Sequence, residues 1–204
     1  MFVSGRIEVV CGPMFSGKTE ELIRRVRRAQ IARQKIQIFK PSIDDRFHKT
    51  NIVSHSASSV EAMAVDTSFE ILQKVLDSTR IVAIDEVQFF DNDIIKVIRK
   101  LARRGIRVLC AGLDQDYRGD AFGPMGELLC IADSVDKVHA ICTICGQDAT
   151  KSYRKLEGNP DQVLVGEAES YEARCRNHFD YYGESDEMNS FMLGLRQDGV
   201  HSQL

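Results

Sequence analysis

The chain has 204 residues and a formal net charge of −3, with 43% of its residues hydrophobic and 28% charged. This composition suits one globular domain with a small addition, and it excludes a disordered or fibrous class. The acidic balance also excludes tight non-specific binding to nucleic acid or an anionic membrane, except through a local patch. No apolar run approaches the roughly 20 residues of a membrane span, and no secretory pattern opens the chain. We therefore expect a cytoplasmic protein with neither a membrane nor a nucleic-acid partner.

The first two thirds of the chain alternate short apolar strands with amphipathic helices. The hydrophobic pattern predicts strands at 6–11, 35–39, 79–84 and 106–113, and helices at 19–33, 68–76 and 91–104. Nearly continuous apolar strands of this kind are typical of a parallel sheet with helices on both faces. The sequence thus predicts an α/β fold for residues 1–138.

The pattern changes after residue 137. Short alternating stretches near 149–153 and 162–165, with a turn signal between them, predict hairpin strands. We interpret residues 139–183 as a small second domain. Residues 184–204 are polar and weakly periodic, so we expect them to form a mobile tail.

A phosphate-binding motif follows the first predicted strand and precedes the first predicted helix. Its glycines let backbone N–H groups close around phosphate oxygens, and the helix N-terminus adds its positive dipole. Lys18 is expected to reach the β- and γ-phosphates, and the Thr19 hydroxyl to bind Mg²⁺. A chance match is the alternative. The motif residues are Gly12, Pro13, Met14, Phe15, Ser16, Gly17, Lys18 and Thr19.

Two carboxylates follow the apolar strand at 79–84. Asp85 is placed to bind Mg²⁺, as in a Walker B element, and Glu86 is available as a general base for an attacking oxygen. The alternative is that both residues cap the following helix.

Cysteine usage points to a metal, because the six cysteines of a protein expected in a reducing compartment are poor candidates for disulfides. Two ligand pairs, each separated by two residues, suit a tetrahedral Zn²⁺. All four positions are filled by protein, which predicts a structural ion. A redox pair or reduced buried thiols are the alternatives. The proposed ligands are Cys142, Cys145, Cys175 and His178.

Two further groups have simpler interpretations. Three cysteines in apolar stretches are expected in the core: Cys11, Cys110 and Cys130. Five arginines of the first helix are expected on a solvated outer face, with a nucleic-acid patch as the alternative: Arg24, Arg25, Arg27, Arg28 and Arg33.

Taken together, GPMFSGKT, DEVQFF from Asp85, LDQDYRGDAFG from Leu113 and the two zinc pairs closely resemble the type II thymidine kinases over roughly residues 6–182. The resemblance implies a RecA-like P-loop domain, then a zinc-ribbon-like domain with a lasso loop over the substrate. It implies transfer of the ATP γ-phosphoryl group to the 5′-hydroxyl of thymidine in pyrimidine deoxynucleotide salvage. We expect deoxyuridine to be accepted as well. A homotetramer and feedback inhibition by dTTP are further implications.

The resemblance also implies individual roles. Glu86 matches the catalytic base, and Lys18, Thr19 and Asp85 match the phosphate and Mg²⁺ residues. Asp44 matches a further metal-side carboxylate and Arg46 a phosphate-binding arginine. The thymine pocket is matched by the side chains of Met14, Phe89, Leu113, Tyr117, Phe122 and Tyr171, and by the backbone of Val163, Leu164, Val165 and Gly166. Two positions depart from the common pattern, since Tyr117 often is phenylalanine and His178 often is cysteine.

Three other functions remain open from the sequence. A Walker A loop with a DExQ sequence also suits a nucleic-acid-dependent ATPase. A zinc-dependent scaffold with a nucleotide switch is the second. The third is a kinase for another nucleoside or nucleotide, which the sequence separates poorly from a thymidine kinase.

Overall fold

The computed structural model describes residues 5–43, 51–53, 59–155 and 170–180. Asp44, Arg46, the segment 162–166 and the predicted tail at 184–204 lie outside these residues. In chain order the elements are β1 (Arg6–Cys11), α1 (Lys18–Ile31), β2 (Ile36–Pro41), β3 (Asn51–Val53), β4 (Ser59–Glu61), β5 (Met63–Val65), α2 (Ser68–Lys74), β6 (Ile81–Ile84), α3 (Ile94–Arg103), β7 (Arg107–Gly112), α4 (Met125–Ile131), β8 (Ser134–Lys137), β9 (Ala140–Ile141), β10 (Asp148–Ala149), β11 (Lys151–Arg154) and β12 (Tyr171–Arg174).

Six of the described strands form one parallel sheet in the order β5-β2-β6-β7-β1-β8. Three two-stranded antiparallel sheets accompany it, made of β3 with β4, β9 with β10, and β11 with β12. The predicted α/β class with a parallel sheet is confirmed. The division at residue 138 stays a prediction, although β8 ends at Lys137 and β9 begins at Ala140.

Both faces of the sheet are covered, as the apolar strands predicted. Alternate strand residues point to opposite faces, so Val9 and Val10 of β1 enter different core clusters. The face of Val10 packs against α1, which buries Leu22, Ile23, Val26 and Ala29. The other face packs against α2, α3 and α4. No helix in the described part of the chain is long and apolar enough to cross a membrane.

Among the described elements, the sequence analysis missed one helix and six strands: α4, β3, β4, β5, β8, β9 and β12. The strands β3, β4, β5 and β9 have only two or three residues, too few to display a period. Helix α4 is mostly apolar, so its sequence shows no amphipathic pattern. β8 is a polar edge strand whose last three residues are exposed, so it lacks an apolar run. Helix α3 begins at Ile94 rather than at the predicted residue 91. Asp91 instead accepts hydrogen bonds from the backbone N–H and hydroxyl of Ser68, at 3.1 and 2.7 Å.

The cysteine prediction for the core is right at two positions and wrong at one. Cys11 and Cys110 are buried, and burial raises the pKa of the Cys11 thiol to about 11. Cys130 is exposed. Helix α4 turns Met125 and Leu128 inward at a spacing of three residues, which leaves Cys130 on the outer side.

A charged network joins α1 to three neighbouring strands. The buried Glu8 of β1 accepts two hydrogen bonds of 2.8 Å from Arg107 of β7 and one of 3.0 Å from Arg25 of α1. Arg25 also donates to Asp136 of β8 at 2.7 Å. Burial by itself would raise the pKa of Glu8, but the hydrogen bond and charge of Arg107, with other arginines nearby, lower it.

One of the five arginines that were predicted on a solvated outer face is not exposed. Arg25 was expected on a solvated face, yet only 12% of its side chain is exposed, because the buried carboxylate of Glu8 draws it inward. The prediction is confirmed for the other four, which are exposed: Arg24, Arg27, Arg28 and Arg33.

We expect Glu8→Gln to lower the free energy of unfolding at pH 7 by about 2 kcal/mol, because it leaves two arginines without their buried charged partner. The pKa of Glu8 is lowered by folding, so its contribution is complete above about pH 4.5 and is lost as the pH falls through the lowered value. Urea unfolding should therefore separate wild type and variant less at pH 3 than at pH 7. Glu127→Gln is the control, since its ion pair with Arg99 is solvent-exposed. Equal losses in the two variants would contradict the role of Glu8.

Candidate active site

The site lies where three adjacent parallel strands end. β6, β7 and β1 are neighbours in the sheet, and their carboxyl ends lie at the same edge. The phosphate-binding loop follows β1, Asp85 and Glu86 follow β6, and Leu113 follows β7. Open parallel sheets bind ligands at this edge.

The phosphate-binding loop has a backbone that favours glycine at its two ends. Gly12 has φ +147° and Gly17 has φ +81°, and Phe15 between them has φ +65°. A Cβ at Gly12 would lie 2.1 Å from the carbonyl oxygen of Val138, so only glycine fits there. Gly17 leads directly into α1, whose N-terminus adds positive potential at the loop. These features fit a phosphate group bound by backbone N–H groups.

The two predicted Mg²⁺ residues meet across the loop. The hydroxyl of Thr19 lies 3.4 Å from Oδ2 of Asp85, although 66 positions separate them in the chain. Asp85 is buried, and its Oδ1 accepts a hydrogen bond of 3.0 Å from the backbone N–H of Glu86. The pair presents one hydroxyl and one carboxylate, which are ligands that Mg²⁺ prefers.

Glu86 sits in the same cleft as the phosphate-binding loop. We call this the P-loop cleft; its lining is Met14, Phe15, Gly17, Lys18, Thr19, Glu20, Glu86 and Leu113. Glu86 has φ +50°, a left-handed backbone conformation that is unusual for a residue other than glycine. It precedes a short 3-10 turn at Val87–Phe89, yet its side chain makes no capping hydrogen bond, and α3 begins only at Ile94. Neither Asp85 nor Glu86 caps α3, whose N-cap is Asp93.

The aromatic side chains predicted for a base pocket form two separate sets of contacts. The rings of Phe89 and Phe122 meet edge to face, with centroids 5.5 Å apart. Tyr117 is buried under the guanidinium of Arg154, which lies 4.7 Å from its ring centroid. Arg154 pairs with Tyr171 across β11 and β12. The hydroxyl of Tyr117, for which the sequence suggested no partner, accepts a hydrogen bond of 2.9 Å from Nε of Arg118.

The loop that carries Tyr117 is fixed by a buried aspartate. Oδ1 of Asp116 accepts hydrogen bonds from the backbone N–H groups of Arg118 and Asp120, at 2.9 and 3.1 Å. Aspartate is favoured in turns because its side chain can accept from N–H groups further along the backbone. These hydrogen bonds fix the backbone on both sides of Tyr117.

The hairpin of β11 and β12 touches the P-loop cleft directly. The hydroxyl of Ser152 accepts a hydrogen bond of 3.0 Å from the backbone N–H of Met14 in the phosphate-binding loop. Next to it, Lys151 donates to the side chain of Gln115 at 2.8 Å. The sequence analysis missed these contacts, together with that of Arg154, because no motif marks them.

The four predicted metal ligands form one cluster. Their ligand atoms all lie within 4.8 Å of one another. The Sγ atoms of Cys145 and Cys175 are 3.8 Å apart, and Nδ1 of His178 lies 3.7 Å from Sγ of Cys142 and 3.2 Å from Sγ of Cys175. Tetrahedral zinc with bonds of about 2.0 to 2.3 Å needs ligand atoms roughly 3.5 to 3.8 Å apart. The cluster therefore fits a zinc ion.

Electrostatics and packing also suit a metal at this cluster. Burial opposes ionisation of the Cys142 thiol, but hydrogen bonds from the backbone of Cys175, Ile144 and Cys145 lower its pKa to about 6. A thiolate is the form that binds zinc. Among the described residues, the core cluster at this place has four small buried members, so a metal can supply stability that their packing does not. These core residues are Ala140, Cys142, Ala149 and Ala173.

A comparison with protein families agrees with the site. A family model described as thymidine kinase matches residues 5–179, which is most of the chain. This chain belongs to the thymidine kinase family. It is accordingly an ATP-dependent phosphotransferase, with thymidine and ATP as the substrates of its family.

The structure brings many of the predicted site residues together, and their individual roles stay predictions. The phosphate-binding loop, Asp85 and Glu86 share one cleft with Met14 and Leu113. The other described residues of the predicted base pocket make the contacts given above: Phe89, Tyr117, Phe122 and Tyr171. Six predicted residues lie outside the described part of the chain: Asp44, Arg46, Val163, Leu164, Val165 and Gly166.

We expect this thymidine kinase, purified without chelators, to contain about one zinc per chain, because the cluster supplies one complete tetrahedral ligand set. Metal analysis by mass spectrometry measures the content directly. Cys175→Ser should lose most of the zinc, whereas Cys130→Ser, which changes an exposed cysteine outside the cluster, should retain it. Zinc-free protein with an unchanged melting temperature would contradict a structural ion.

Proposed function

We propose that this thymidine kinase transfers the γ-phosphoryl group of ATP to the 5′-hydroxyl of thymidine, and of deoxyuridine, in pyrimidine deoxynucleotide salvage. The observation that carries the proposal is the position of Glu86, whose side chain lines the same cleft as Lys18 and Thr19. A carboxylate beside a phosphate-binding loop can accept the proton of a hydroxyl that attacks the phosphoryl group.

The residues of the cleft divide the reaction among them. In this proposal the loop N–H groups and Lys18 hold the phosphates, and Thr19 and Asp85 hold Mg²⁺. Glu86 takes the proton of the 5′-hydroxyl while the 5′ oxygen of the nucleoside forms a bond to the γ-phosphorus. The bond from the γ-phosphorus to the bridging oxygen breaks, and ADP leaves with the electron pair. Phosphoryl transfer depends mainly on such positioning and charge stabilisation.

The base pocket supports a pyrimidine substrate. The edge-to-face rings of Phe89, which is partly exposed, and Phe122 offer an apolar surface for one small ring. By the family resemblance, the backbone at 163–166 hydrogen-bonds the base, and Asp44 and Arg46 complete the metal and phosphate contacts. The same resemblance supports the proposals of a cytoplasmic homotetramer, of inhibition by dTTP, and of a structural zinc in a domain spanning residues 139–183.

We expect the protein to phosphorylate thymidine and deoxyuridine with Mg-ATP and to leave deoxyadenosine and deoxyguanosine unchanged, because the pocket suits one ring rather than a fused pair. Radiolabelled ATP and separation of the nucleoside monophosphates measure this. Comparable rates with purine nucleosides would contradict the pyrimidine assignment. ATP hydrolysis stimulated by single-stranded DNA or RNA, with no nucleoside phosphorylated, would instead identify a nucleic-acid-dependent ATPase.

We expect Glu86→Gln to lower kcat by roughly 10² to 10⁴, because it keeps the shape of the side chain but removes the base. ATP affinity should remain within about threefold, since the phosphate contacts belong to other residues. Lys18→Ala is the contrasting variant, and it should lose both ATP affinity and turnover. Steady-state kinetics and equilibrium binding of ATP to each variant separate the two effects. A normal kcat in Glu86→Gln, with chemistry rate-limiting, would remove Glu86 from the mechanism.

A further inference from the structure

Gln88 connects the proposed base to the wall of the nucleoside pocket. Its side chain is buried, and the residue is only 2% exposed. Its Nε2 donates a hydrogen bond to Oε2 of Glu86, and its Oε1 accepts one of 3.0 Å from the backbone N–H of Leu113. One amide therefore joins the segments that follow β6 and β7.

The orientation of this amide follows from its partners. The backbone N–H of Leu113 is only a donor, so it requires the carbonyl oxygen of Gln88. The NH₂ group must then face Glu86, whose carboxylate is an acceptor. The reversed amide would set two donors against each other at Leu113, inside a buried site. The hydrogen-bond network thus specifies a donor at Glu86.

The surroundings of Gln88 are shaped to hold it. A Cβ at Gly112 would lie 2.6 Å from Oε1 of Gln88, and a Cβ at Gly123 would lie 2.4 Å from its backbone oxygen. Gly123 also has φ +50°. Any other residue at these two positions would push Gln88 from its place. Interiors are closely packed, so a side chain confined in this way keeps one rotamer.

The backbone conformation of Glu86 is unusual and needs surrounding contacts, such as the one with Gln88, to hold it. Glu86 adopts φ +50°, and the 3-10 turn that follows returns the chain so that Gln88 faces it again. A conformation of this kind persists only where surrounding contacts hold it. A carboxylate has about four acceptor lone pairs on its two oxygens, so one fixed donor orients the group without using all of its acceptor capacity.

We propose that Gln88 is a positioning residue for phosphoryl transfer. Gln88 holds the carboxylate of Glu86 and, through its hydrogen bond with Leu113, fixes the position of that carboxylate relative to the nucleoside pocket. This inference rests on the proposed role of Glu86 as the base. Gln88 has two separable effects: its NH₂ group acts on kcat through Glu86, and its oxygen acts on nucleoside binding through Leu113.

A double-mutant cycle tests the first effect. Gln88→Met keeps the length of the side chain and removes both hydrogen bonds. We expect it to lower kcat by about 10- to 100-fold in the wild-type background, since a misplacement of about 1 Å can have an effect of this size. In the Glu86→Gln background the same change should lower kcat by less than about threefold, because no base remains to be positioned. Gln88→Met also removes the hydrogen bond to Leu113, so we expect it to raise KM for thymidine, and to do so in both backgrounds.

Ser152→Ala is the control for this cycle. Ser152 hydrogen-bonds to Met14 in the phosphate-binding loop, so it should change kcat/KM for ATP by the same factor in the wild-type and the Glu86→Gln backgrounds. If Gln88→Met lowers kcat equally in both backgrounds, Gln88 has a merely structural role and the inference is overturned. If Glu86→Gln alone has normal kcat, the assignment of the base fails first, and the inference fails with it.

A second pair of variants tests the contact if Gln88→Met does not fold. At pH 8, Gln88→Glu sets two carboxylates against each other, and we expect a lower melting temperature. The exchanged pair Glu86→Gln with Gln88→Glu restores a donor opposite an acceptor and still offers an oxygen to Leu113. Its melting temperature should recover most of the loss. No recovery would overturn the proposed contact.

Discussion

Parallel pairing of β6, β7 and β1 is the constraint on which the site depends. The register pairs Ile84 with Cys110, and Cys11 with Gly112, so the three strands end close together. Three segments distant in the chain thereby begin at one edge of the sheet. The meeting of Thr19 with Asp85, and the link through Gln88 to Leu113, both follow from this register.

The edge is polar, although the sheet beneath it is apolar, and polar groups buried there need partners. Asp85 and Gln88 are almost fully buried, and a side-chain oxygen of each accepts a hydrogen bond from a backbone N–H group. Unpaired polar groups in such a place would cost about 1 to 3 kcal/mol each. Glycines at positions 112 and 123 make the necessary room. The chain thus combines rigid apolar strands with a small number of fully specified polar contacts.

The metal cluster matters to the site because three residues of the adjoining strand β11 contact the phosphate-binding loop and the segment that follows Leu113. Lys151, Ser152 and Arg154 of β11 reach Gln115, Met14 and Tyr117, respectively. Strand β12 pairs with β11 and leads directly to Cys175 and His178. The four small buried residues described around the cluster provide little hydrophobic stability, so an ion bound there would help to hold the hairpin against the phosphate-binding loop.

The sequence by itself determined the parallel α/β sheet, and local motifs marked the candidate phosphate-binding loop, the carboxylates at 85 and 86, and the four candidate metal ligands. Strand periodicity and motif spacing are local properties, so they can be recognised without a fold. Only the tertiary structure decided that Gln88 contacts Glu86, that Ser152 contacts Met14, that Arg25 joins the network around Glu8, and that Cys130 faces outward. Each of these depends on a partner or a face that the fold supplies, and short elements such as β8 carry too little pattern to reveal it.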